Sequence, residues 1–258
     1  MTAKWDLRRA ERDGIIKKNT EKGEAKVYLD MTYIVFVLPA VILSLWASWN
    51  VKRSFSKYAK VLNSRGLTGA DAARRVLDAN GLRDVPVEQI GGELSDHYDP
   101  KSRTVRLSQS VWGSTSVAAV GVACHEVGHA IQNAENYLPV QIRQAIIPVT
   151  ALGEKLSVPL LIIGLLLSSY SRYFIYLAYA GVALYAMCAV FQIVTLPTEF
   201  DASRRALASI QDMALLDGEE LQGAKKVLTA AALTYVAALA TTLMQLLRFV
   251  VLVRDRER

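Results

Sequence analysis

The chemistry in this chain is concentrated in one pentapeptide, His125-Glu126-Val127-Gly128-His129. Two histidines four residues apart lie one turn apart on the same face of a helix, where both imidazoles can reach one metal ion. The intervening glutamate then sits beside that ion. Zinc lowers the pKa of a bound water, and an adjacent carboxylate can take the proton and hand it to a leaving amine, which is the chemistry of peptide hydrolysis. A catalytic zinc takes three protein ligands and keeps one position open, so a third ligand is required. The extended pattern HExxHxxGxxH does not supply it: Gln132 stands in the glycine place and Glu135 in the last histidine place, and Glu135 reads as decoration of the helix end. His97, in SDHYDP, reads as a side chain of a predicted hairpin, with a ligand or substrate-binding role as the alternative.

That leaves Glu199, in LPTEFDASRRALASI. Thr198-x-x-Asp201 reads as a capping box at the start of a helix, with Asp201 as the cap and Arg204 and Arg205 toward water or headgroups, one of them able to hold Asp201. Glu199 is then either the third ligand or a first-turn acid favoured by the helix dipole. Topology constrains the choice. Two apolar windows separate His125 from Glu199, and two crossings or one re-entrant hairpin both return the chain to its starting face, whereas a single crossing forbids the site.

The elements that must position these residues follow from the charge pattern. The 258 residues are 52% hydrophobic and 21% charged, with a mean hydropathy of +0.22, too apolar for a disordered chain. A net charge of +6 suits an anionic membrane surface, and no nucleic-acid motif is present. Residues 31–51 carry no charge and include TYIVFVLPAVILSLWASW, long enough to span the hydrocarbon core. A second window covers 173–198, a third 227–247 continuing through Arg248, and a shorter one 156–171 forms one side of a hairpin or a re-entrant piece. Arg248 must snorkel or face protein. The order is therefore a charged arm (1–30), a span (31–51), a lobe with the HExxH helix (52–155), a transmembrane hairpin (156–198), a helix carrying the third ligand (199–226), a span (227–253) and a basic tail (254–258). Within the lobe, Thr68 leads a capped helix ending near Gly81, and VPVEQIGGELSDHYDPKSRTVRLS reads as a small β element turning at Asp99-Pro100. Thr104–Ser108 is either an edge strand that pairs with an extended peptide or a solvent-covered hairpin strand. Cys124 and Cys188 lie in apolar stretches and read as buried thiols.

Three blocks, VACHEVGHAIQ, GGELSDHYDPKSRTVRLS and LPTEFDASRRAL, occur in this order. Together they resemble the bacterial membrane-bound neutral zinc metallopeptidases of the YugP-like family, over residues 30–253. The resemblance implies a mainly α integral membrane protein with about four transmembrane segments and a small α+β zincin-like lobe. It implies a zinc cofactor held by His125 and His129, Glu126 as general base, and, by similarity to the wider gluzincin group, Glu199 as third ligand. One departure stands out: those relatives carry an Asp four residues after the ligand Glu, where this chain has Ser203. The expected partners are a polypeptide substrate, membrane-associated or misfolded, and the lipid bilayer, with no nucleic acid. The expected location is the bacterial cell membrane. Lys and Arg favour a cytoplasmic catalytic face only slightly, 17 against 12 on the other side, and the resemblance points the same way. The alternatives from other classes are a membrane scaffold whose HExxH is not used, and a zinc hydrolase of non-peptide amides or esters.

Overall fold

A computed structural model describes residues 31–257; the expected arm at 1–30 and the last residue of the tail lie outside the described residues. Helix α1 (Tyr33–Tyr58) opens with five π-helical residues, Tyr33–Val37, and continues as α-helix with Pro39 in its first turn. Helix α2 (Gly69–Ala79) is set by a complete capping box: the Asp71 amide donates to Thr68 Oγ1 (3.1 Å) and the Thr68 amide donates to the Asp71 carboxylate (3.1 Å). Ala72, Ala73, Val76 and Leu77 form its buried stripe. Gly81, at φ +75°, follows its end.

Three short strands come next, β1 (Val87–Ile90), β2 (His97–Asp99) and β3 (Thr104–Ser108), in the order β1-β3-β2. β3 pairs parallel with β1, Val87 opposite Val105, and antiparallel with β2, Tyr98 opposite Val105. Thr104–Ser108 is thus the central strand and not an open edge. Its alternating hydrophobics are legible in the sequence, but its partner on the other side is the distant VEQI segment, which no local turn announces. Arg106 pins the hairpin through Asp99 (2.8 Å) and holds the Asp99 carboxyl well below the usual carboxylate range.

Helix α3 (Val117–Ala134), capped by Ser116 Oγ accepting from the Ala119 amide (3.2 Å), carries the HExxH residues. It is buried almost all round by α2, the sheet and the later helices, which fits its Ala, Val and Gly content. Helix α4 (Leu138–Leu167) and helix α5 (Ile175–Asp212), joined by a 3-10 turn at Arg172–Phe174, form the hairpin. Gly153, Gly164 and Gly181 let the two backbones touch: a Cβ at any of them would collide with backbone atoms of the facing helix. The polar residues Arg143, Glu154 and Lys155 belong to α4 itself, so the apolar window starting at residue 156 is only the second half of a longer helix.

The expected capping box at Thr198 and Asp201 does not exist. Both residues lie inside α5, which runs unbroken through Pro197, and the Thr198 hydroxyl donates back to the Val194 carbonyl (3.2 Å). Proline followed by Thr and acids imitates a helix start, yet the flanking turns are held by packing, which outweighs the single hydrogen bond that Pro197 removes. Beyond that point α5 leaves the hairpin and puts Ala206 and Ile210 into the same core as Val127 and Leu77. Helix α6 (Gly218–Glu257) returns alongside α1, with Ser44 Oγ and Thr241 Oγ1 2.9 Å apart. Arg248 faces protein, its guanidinium over the Tyr33 ring at 5.5 Å.

Among the described residues, four helices are long and apolar enough to cross a membrane. Large side chains exposed on them, among them Leu45, Trp46, Ile162 and Leu166, belong against lipid. The molecule is a mainly α membrane protein with a small α+β lobe.

Candidate metal centre

Helices α3 and α5 cross backbone to backbone beside the motif. A Cβ at Gly128 would lie 2.5 Å from the Ala202 carbonyl oxygen, so only glycine permits this approach. The crossing brings Glu199 under the two histidines: His125 Nε2 and His129 Nε2 are each 3.4 Å from Glu199 Oε2. All three ligand atoms fall within 4.8 Å of one another. The hairpin returns the chain to its starting face, as the topology of a shared site requires.

Glu199 Oε2 is buried and has no hydrogen-bond partner. A carboxylate oxygen in that condition is costly unless a cation satisfies it. The spacing fits one. Four ligand atoms around zinc at about 2.1 Å stand about 3.4 Å apart at the corners of a tetrahedron, and 3.4 Å is the separation found for both nitrogen–oxygen pairs. Electrostatics agrees: burial opposes a charge on His129, but the carboxylates of Glu199 and Glu126 and the contact with Gln132 outweigh it and raise its affinity for a proton, so positive charge is favoured at this point.

The rear of each imidazole is also held. His125 Nδ1 lies 3.1 Å from Ser203 Oγ, and His129 Nδ1 lies 3.1 Å from Gln132 Oε1. The Gln132 amide orientation is dictated by its other end, where Nε2 donates to the Thr198 carbonyl (2.8 Å) and to Asp201 Oδ2 (2.9 Å). Gln132 therefore offers His129 an oxygen, which requires the proton on Nδ1 and leaves Nε2 bare to face Glu199. Asp201 in turn accepts from Arg205 (2.5 Å) and from Arg204, and Arg205 bridges to Glu135 (2.8 Å). Asp201 is thus an anchor two bonds behind a histidine, not a cap, and Glu135 does decorate the end of α3.

Glu126 is buried, and its Oε2 accepts the Tyr98 amide (3.0 Å). That bond ties β2 to the motif and makes β2, rather than β3, the strand beside the site. A cleft of 340 Å³ opens there, lined by His97, Tyr98, Glu126, the α4 residues Arg143 and Ile147, and Tyr235. A smaller cavity of 150 Å³ shares Glu126, Glu199 and Tyr235 and is closed by apolar residues including Phe55, Val122 and Leu228. His97 borders the cleft with Nδ1 on the Ser95 carbonyl (2.8 Å), outside the three-residue cluster. Arg143 Nη1 lies 3.5 Å from Glu199 Oε1.

Sequence reasoning gave Gln132 and Ser203 no part in the site and passed over Arg143 and Tyr235. Ser203 had a signal, being one turn beyond Glu199 on the same face; Arg143 and Tyr235 had none, since only the packing of α4 and α6 aims them at the site.

Residues 33–254 match a family model described as "putative neutral zinc metallopeptidase". Among curated proteins, the "Putative membrane protease YugP" of Bacillus subtilis (strain 168) is 46% identical over 222 residues, covering 86% of this chain and 96% of that protein. No solved structure matches the chain.

Proposed function

Since the chain belongs to the neutral zinc metallopeptidase family, we propose that it hydrolyses peptide bonds in membrane-associated polypeptides, with His125, His129 and Glu199 holding zinc and Glu126 as general base. The observation that carries this reading is the orphaned, buried Glu199 Oε2 set 3.4 Å from two histidine nitrogens. When bound there, zinc supplies Lewis acidity, polarising a carbonyl and making water ionisable near neutral pH.

The protein's own groups do the rest. Gln132 and Ser203 fix the imidazoles with Nε2 forward. The Tyr98 amide holds Glu126 Oε2, which sets the rotamer of the carboxylate and leaves Oε1 to take a proton from water and pass it to the leaving nitrogen. β2 borders the cleft with its outer edge, so an extended polypeptide can lie along it between the sheet and α4, one side chain reaching the apolar cavity. Partial burial of the cleft against α4, a membrane helix, supports substrates presented at the bilayer surface. The small excess of Lys and Arg on the lobe's side of the membrane, 17 against 12, supports a cytoplasmic position for the lobe.

Metal analysis of the purified full-length protein, followed by comparison with Glu126→Gln, tests this. The wild type is expected to carry about one zinc per chain and to cleave an unfolded protein, whereas Glu126→Gln keeps its zinc and cleaves at least ~100-fold more slowly. A chain that takes up no metal, or a Glu126→Gln variant as active as the wild type, overturns the reading in favour of a scaffold or of different chemistry. A preference for amide or ester substrates that are not peptides would reassign the reaction.

A further inference from the structure

A further cavity, of 470 Å³, lies away from the metal cluster, between the lobe end of α1 and the first turns of α6. Arg53 and Lys57 from α1 and Lys225 and Lys226 from α6 line it, with Asn50 and Gln222 among the neutral groups, and no carboxylate does. Among the described residues none of these four cations is in an ion pair with an acid. Glu220, five residues before Lys225, is engaged elsewhere, accepting the Ser64 amide at 2.8 Å. Four cations around one cleft repel each other, and their placement there without counter-charges among the described residues leaves room for an anion.

Depth in the membrane identifies the source of that anion. α1 changes from apolar to basic just after Trp46 and Trp49, both about half exposed (48% and 54%), and Arg53 lies over the Trp49 ring at 5.0 Å. Exposed tryptophans mark the level of the headgroups. α6 makes the opposite change at the same place, from Lys225 and Lys226 into the charge-free residues 227–247. The two helix ends are fixed to each other there: a Cβ at Gly223 would strike the Tyr58 ring at 2.7 Å. The cleft therefore sits at the interface, open between two spans, with polar walls and the acyl region directly below it.

We infer that this cleft binds the phosphate of an anionic phospholipid headgroup, with Arg53, Lys57, Lys225 and Lys226 as its cationic walls. Basic pockets between transmembrane helices at this level are suited to such headgroups. The inference is independent of the metal chemistry, and its readout is bound lipid rather than activity.

Full-length protein in mixed micelles of phosphatidylglycerol and phosphatidylcholine, analysed by native mass spectrometry, tests it. The wild type is expected to retain phosphatidylglycerol in preference, and Arg53→Gln/Lys57→Gln to lose that retention roughly thirtyfold, the change implied by removing two interfacial cations. Lys52→Gln/Lys60→Gln removes the same charge outside the cleft, from α1 and from the turn just past its end, and should retain lipid as the wild type does. Lys225→Gln/Lys226→Gln repeats the test from the other wall should the first variant not fold, and Arg53→Lys/Lys57→Arg should keep binding. Equal loss in the cleft and control variants overturns the site in favour of general surface charge, as does wild-type retention in both wall variants. Displacement of the lipid by millimolar inorganic phosphate, with phosphate alone raising the melting temperature, would identify a soluble anion instead and overturn the lipid assignment.

Discussion

Replacing Gly128 with alanine should open the metal centre without touching any candidate ligand. The new Cβ would stand 2.5 Å from the Ala202 carbonyl oxygen and 3.1 Å from its Cα, whereas ordinary contacts begin at 3.4 Å. Both atoms are backbone, so no rotamer change relieves the overlap, and α3 and α5 must separate by about 0.9 Å at the crossing. Gly128 adjoins His129, and Ala202 lies between Glu199 and Ser203, so the separation falls on the ligand set itself. Metal bonds tolerate about 0.2 Å. The expected result is a loss of zinc affinity of roughly 100-fold or more, beyond the ~10–100-fold seen when an outer partner alone is removed. Folding is less affected: overpacking costs about 1–3 kcal/mol, and the better helix propensity of alanine returns about 1 kcal/mol. Gly121→Ala is the matched control. It makes the same chemical change on the same helix, but its Cβ meets the Ala224 Cβ at 3.3 Å and Cα at 3.5 Å, with the Ala224 carbonyl oxygen 3.9 Å away. Zinc dissociation constants from chelator competition, with thermal melts alongside, compare the two. If both variants hold zinc as the wild type does, the close crossing does not set the ligand geometry and the reasoning fails.

Two further predictions follow from the surroundings of the cluster. Ser203→Ala removes the group facing His125 Nδ1 at 3.1 Å and should weaken zinc binding ~10–100-fold with little change in melting temperature, while Ser203→Thr retains it; chelator competition that finds no change in Ser203→Ala would assign Ser203 to packing alone. Cys124 adjoins His125 but is fully buried, which pushes its thiol up to about 12, so at pH 8 only roughly one part in ten thousand is thiolate. Iodoacetamide should therefore leave Cys124 unmodified in the native protein and label it on unfolding, and native labelling at the unfolded rate would show that α3 is open at this point.

How much of this was legible in the sequence depends on which force fixes each residue. The helices were readable because hydrophobic length and a local capping box decide them: Thr68 and Asp71 bond each other whatever lies further away, and the 31–51 window spans a bilayer by length alone. The HExxH pair was readable for the same reason, its geometry being that of one helical turn. Glu199 was readable through counting crossings and through the resemblance carried by LPTEFDASRRAL, and its local reading as a first-turn residue fails because Pro197 sits within a helix that packing keeps intact. The role of Gln132 could not be read at all from position. It depends on Asp201 and the Thr198 carbonyl, 69 and 66 residues away, which orient one amide and so fix the tautomer of His129. The same contacts explain why Asp201 can serve the site although it is not the Asp that relatives place four residues after the ligand: Ser203 faces His125 directly, and Asp201 acts on the other histidine through Gln132. α5 thus holds the rear of the motif by one direct contact, Ser203 to His125 at 3.1 Å, and by one relay through Gln132 that Arg204 and Arg205 back from behind, and Glu199 comes to face both histidines because it rides on the same helix as Thr198, Asp201 and Ser203.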